Sequence, residues 1–144
     1  MKSTIVFTAL LLVASAFASA DDAAVRKALN ANYAKMSAGY KKGDVNAVIA
    51  LMLPTTARSE ASFVRNNISM MKVADVKYKI TAMKVTGAEA MAFVTATFLG
   101  SMKDPGGKMH SASVKQGSID TWISTPKGWM LKRSATNGTG GGMR

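Results

Sequence analysis

Few side chains in this sequence could carry chemistry. His110 is the one histidine, and cysteine is absent. Thiolate catalysis and cysteine-type metal sites are therefore excluded, and an oxidising compartment would be met without disulfides. A lone imidazole without H-x-H or H-E-x-x-H spacing builds no metal site, so no metal and no cofactor is implied. If His110 met Asp120 on the same or a neighbouring strand, the two would form an acid–base dyad. Alternatively, His110 is an exposed loop-end residue beside the Asp104-Pro-Gly-Gly turn.

The binding candidates cluster near the start of the chain. Val25, Leu29, Tyr33, Met36 and Tyr40 recur at helical spacing and share one stripe. Asn32 falls within that stripe. An inward amide there must bond either to a ligand or to the backbone of a neighbouring strand. The hydroxyls of Tyr33 and Tyr40 would reach a pocket as donors or remain wet tips on core side chains. Further on, Gln116, Ser118, Asp120 and Trp122 share a strand face by period two, which is either the mouth of a polar cavity or a solvated outer surface. No glycine-rich phosphate loop, nucleophile elbow or paired-carboxylate motif is present.

These residues need elements to position them. The helical pattern runs from Ala23 to Tyr40, capped by Asp21 and Asp22 and stopped by Lys41-Lys42-Gly43. Asp44 caps a second helix, Val45 to Leu53, ended by Pro54. A third is expected over Glu60 to Met71, capped by Thr56 or Ser59. From Val73 the period becomes two, and a slip near Met83 predicts a β-bulge. Ala90 to Met102, with Phe93 among apolar residues on both faces, reads as a central strand. Met109 to Ser124 and Trp129 to Thr136 complete an antiparallel meander, joined by Thr125-Pro-Lys-Gly128.

Residues 1–20 read as a signal peptide: a basic Lys2, an apolar stretch from Ile5 to Ala14, and Ala18-Ser-Ala20 before the cut. The stretch is shorter than a membrane span. Cleavage after Ala20 would release a secreted or periplasmic protein. It would consist of one domain over residues 21–136 and a glycine-rich flexible tail over 137–144. Loss of Lys2 lowers the formal charge from +11 to +10. Such an excess attracts polyanions, but no basic run exceeds two residues and none interleaves with aromatics, so no nucleic-acid motif is present.

The order of elements, the Lys42-Gly-Asp-Val-Asn-Ala-Val48 step and the closing Asp120-Thr-Trp122…Gly128-Trp129 hairpin resemble the nuclear transport factor two-like superfamily. That group includes steroid delta-isomerases, scytalone dehydratase and polyketide cyclases. The resemblance implies an α+β fold, with N-terminal helices packed on a strongly curved antiparallel sheet as a cone-shaped barrel. It also implies an interior lined by Asn32, Tyr33, Met36, Tyr40, Phe93 and Trp122 that takes a small apolar or amphipathic ligand, and a homodimer formed through a sheet face. The family usually places a short strand and often an acidic residue between helices two and three. Here that region is Leu53-Pro-Thr-Thr-Ala-Arg-Ser59, with no carboxylate before Glu60, which argues against steroid-isomerase chemistry. A non-catalytic binding domain is the first expectation. The alternatives are an isomerase, dehydratase or cyclase using Asp120 or His110, and a polyanion-binding surface.

Overall fold

A computed structural model of the chain describes the backbone of residues 4–136 and the side chains from Asp22 to Thr136. The side chains of the expected export signal and all of tail 137–144 lie outside the described residues. Three helices, α1 (Thr4–Lys42), α2 (Val45–Ile49) and α3 (Pro54–Met70), precede four strands, β1 (Met71–Thr86), β2 (Glu89–Lys103), β3 (Met109–Thr125) and β4 (Gly128–Thr136). The strands pair in the order β1-β2-β3-β4, all antiparallel, as one α+β layer of helices over a sheet. Among the described residues, no helix is long and apolar enough to cross a membrane.

The stripe of α1 is the core stripe. Val25, Leu29, Tyr33, Met36 and Tyr40 are all buried, because helical spacing puts them on one face and the sheet covers it. α1 begins upstream of the expected Ala23, so Asp21 and Asp22 lie within it and do not cap it. At its other end Gly43 adopts φ 68° and turns the chain into α2. Asp44 caps α2 by accepting from the Ala47 backbone N–H at 3.1 Å. Gly39 lets α2 sit close, since a Cβ there would stand 2.8 Å from Val48 Cγ2.

The next boundary corrects the sequence-based expectation. α2 stops at Ile49, and Pro54 opens α3 instead of closing α2. Proline is tolerated at the first helical position because its missing N–H needs no partner there. Between the two helices, Met52 forms a parallel bridge to Leu131. The Leu53 N–H donates to the Leu131 carbonyl at 2.9 Å, and the Leu131 N–H donates to the Leu51 carbonyl at 2.8 Å. Thr56 does not cap the helix. Its hydroxyl donates to the Lys132 carbonyl at 2.6 Å and ties α3 to β4.

Register shifts bend the sheet. β1 carries one between Val73 and Asp75 and another between Ile80 and Ala82, the latter beside the slip expected near Met83. A third separates Thr121 from Trp122 on β3, where it meets β4. Along β2 the buried face is Ala90, Ala92, Val94, Ala96 and Phe98, while Met91 and Phe93 each remain 40% exposed on the other side. Phe93 therefore lies on the outer face and not in the interior. Two of its inward neighbours are small where they face β3: Ala90 pairs with Trp122 and Ala92 with Asp120.

Candidate functional site

A cavity of about 320 Å³ opens between α1, α3 and the inner face of the sheet. α1 supplies Tyr33, Met36 and Tyr40, and α3 supplies Ser59, Glu60, Phe63 and Val64. Tyr78 comes from β1, Phe98 from β2, Gln116, Ser118 and Asp120 from β3, and Ser134 from β4. Strand periodicity puts the three β3 residues on one face, and β4 lays Ser134 directly opposite Asp120.

The polar centre is a chain of hydrogen bonds at the base of this cavity. The Trp122 Nε1–H donates to Tyr33 Oη at 3.1 Å, which commits the tyrosine proton elsewhere. That proton goes to Asp120 Oδ2, at 2.6 Å. Ser134 Oγ donates to the other oxygen, Oδ1, at 2.6 Å. Trp122 is fully buried and Asp120 is 5% exposed. The Tyr33 ring stacks on Tyr78, with centroids 4.9 Å apart, and meets the edge of Trp122 at 5.4 Å. Burial and then the Asp120 charge drive the Tyr33 hydroxyl far above the usual phenol range, so it stays a donor. Tyr78 is driven up likewise, by burial first. The Tyr40 hydroxyl is pushed up to about 12 by burial, with the Glu60 charge adding to it.

Glu60 is the residue that sequence reasoning missed. It faces the same cavity from the second turn of α3, and its carboxyl is raised above the ordinary range by partial burial and then by the Asp120 charge. The fold thus brings together two carboxylates that no local motif announced. Neither has a lysine or arginine within salt-bridge distance among the described residues. The signal was available in principle: Glu60 and Val64 fall one turn apart on the same face of the expected third helix.

The sequence matches no protein-family model and no curated protein. Solved structures are more informative. An NTF2-like protein with a cystatin-like fold from Novosphingobium aromaticivorans superposes with a TM-score of 0.62 at 16% identity, covering 86% of each chain. The chain adopts the nuclear transport factor two-like fold. A candidate dehydratase of the NTF2-like family from Streptomyces avermitilis matches 75% of this chain and 91% of its own, with a TM-score of 0.58 at 12% identity. A candidate scytalone dehydratase from N. aromaticivorans matches 82% and 86%, with a TM-score of 0.59 at 11% identity.

Within this NTF2-like fold the predicted site residues divide. Tyr33, Met36 and Tyr40 line the cavity, and Trp122 lies beneath it as a donor to Tyr33. Asn32 does not line it. Its Nδ2 donates to the Trp129 carbonyl at 2.9 Å, so the amide ties α1 to the closing hairpin. Phe93 faces outward. His110 and Asp120 do not form a dyad: the ring of His110 is 2.7 Å from Asp104 Oδ2 on the exposed β2–β3 turn, while Asp120 faces the cavity. The His110 contact also holds the Asp104 carboxyl below the usual range. Gln116 and Ser118, read as either cavity mouth or outer surface, line the cavity. Among the described residues, no group of three or more His, Asp or Glu side chains could hold a metal.

The lysines, scattered along the sequence, are partly gathered by the fold. Lys41, Lys42, Lys72 and Lys103 line one groove beside the end of α3. Lys41 is 3.8 Å from Asp75, an exposed pair of little energetic weight.

Proposed function

We propose that this chain is an exported binding domain whose cone holds one small amphipathic ligand. The observation that carries this reading is the cavity itself, an open space walled by tyrosines and aliphatic side chains with a few convergent polar groups at its base. Its volume is at the lower end of the range of about 300–1,000 Å³ usual for small-molecule sites. Asp120, held by Tyr33 and Ser134, would orient the polar end of the ligand. The aromatic and methionine walls would cover the rest. Native mass spectrometry of protein purified from its own host tests the reading. The prediction is an adduct of one small molecule, lost on denaturation. A bare mass, together with failure to take up any amphipath afterwards, contradicts it.

The acid–base reading keeps one support. Asp120 and Glu60 face one cavity, so a bound substrate could lose a proton to the first and receive one from the second. His110 has no part in it. Turnover of candidate substrates that vanished in Asp120→Asn would favour catalysis over binding.

For export, the composition of residues 1–20 carries the proposal. The intact mass of protein recovered from the envelope or medium should correspond to a chain beginning at Asp21. For the outer sheet face, exposed Met91 and Phe93 support self-association, and light scattering should return the mass of a dimer. The lysine groove supports binding of a polyanion, with heparin affinity falling steeply as salt rises.

A further inference from the structure

The charge of the cavity runs against the charge of the protein. The chain carries 19 lysines and arginines against 8 acids, yet among the described residues the only ionisable carboxyl or basic side chains lining this cavity are two acids, Glu60 and Asp120. No basic side chain of the described residues is paired with either. Among the described residues, Asp120 is compensated only by the hydroxyls of Tyr33 and Ser134. A buried carboxylate held by neutral donors alone is costly, and a second one in the same space adds repulsion. Each carboxylate oxygen can accept a further bond, so both acids retain acceptor capacity. The walls suit the apolar part of such a ligand, since Tyr33, Tyr40 and Tyr78 line the cavity beside Met36, Val64 and Phe98.

Building on the binding reading above, we propose that the ligand of this cavity is a small amphipathic cation, a protonated amine or quaternary ammonium. Its charge sits between Glu60 and Asp120, and its apolar part lies against Met36, Val64 and Phe98. An anionic amphipath is rejected, because it would meet two unpaired carboxylates in a low-dielectric space. A neutral one of equal shape binds more weakly, because it leaves the two acids uncompensated. The basic exterior does not oppose this choice, since charges on the outer surface are screened by salt over about 10 Å while those inside are not.

Three probes of matched shape test the inference: phenylpropylamine, phenylpropanol and phenylpropanoate, titrated into the purified protein by calorimetry. The amine should bind at least tenfold more tightly than the alcohol, and the carboxylate should not bind measurably. In Glu60→Gln the amine should fall toward the affinity of the alcohol while the alcohol is unchanged. That pattern would not follow from loss of folding. Equal affinity for amine and alcohol overturns the charge inference and leaves the binding reading intact. Preference for the carboxylate overturns it outright. Failure of all three to bind overturns both.

Discussion

Tyr33 and Asp120 are 87 residues apart in the chain and meet through a 2.6 Å hydrogen bond at the base of the cavity. The first helix and the third strand are thereby locked together by the pair that faces the cavity. Because Tyr33 also accepts from Trp122, its proton has one destination, and the orientation of the network is fixed by the donor inventory of its members.

Tyr33→Phe should therefore be costly despite its small change in volume. It strips the acceptor from the Trp122 N–H and a donor from Asp120, both buried. A loss of about 1–3 kcal/mol in denaturant unfolding is expected, the cost of leaving buried polar groups without partners. The emission of Trp122 should shift with it, which is best followed in a Trp129→Phe background.

Asn32→Ala separates the two roles once open to that residue. Loss of its bond to the Trp129 carbonyl should lower stability by about 1 kcal/mol. Affinity for any cavity ligand should not change. A clear drop in affinity would return Asn32 to the site.

Glu60 sets a pH dependence. Its carboxyl is raised, so the folded state holds the proton more tightly than the unfolded chain does. Linkage then makes its contribution to stability fall as pH rises from the ordinary glutamate range through the raised value. The groups sharing its cavity are Asp120, Tyr33, Tyr40 and Tyr78, and the tyrosines stay neutral there. Glu60→Gln should remove that slope and leave the protein slightly more stable at neutral pH. Thermal melts across the acid range read this directly.

His110→Ala should be silent in stability, within about 0.5 kcal/mol, as expected of a surface substitution. It should be equally silent in ligand binding and in any turnover.

Gly39→Ala probes the packing beneath the site. The added methyl would meet Val48 Cγ2 at 2.8 Å. Overpacking of about 1–3 kcal/mol should outweigh the gain in helix propensity of about 1 kcal/mol. Chemical denaturation checks the sign.

Much of the fold was legible because periodicity is a local property. The stripe from Val25 to Tyr40 and the alternation from Val76 to Ile80 each name their element without knowledge of the rest. What was not legible is where local pattern leaves two answers. Along β2 both faces are apolar, and only the cross-strand partners Trp122 and Asp120 decide that the alanines go inside and Phe93 outside. Pro54 fits the end of one helix or the start of the next, and the structure puts it at the start of α3. The Tyr33–Asp120 bond lay beyond any local reading, since it depends on how α1 crosses the sheet.

The most direct test of the ligand cavity is a map of amide chemical shifts on titration with phenylpropylamine. Perturbed signals should cluster at residues 33–40 of α1, 59–64 of α3, 116–120 of β3 and 134–136 of β4. Perturbations confined to the outer face around Phe93 or to the lysine groove, with the signals of Tyr33, Glu60 and Asp120 unmoved, would contradict it.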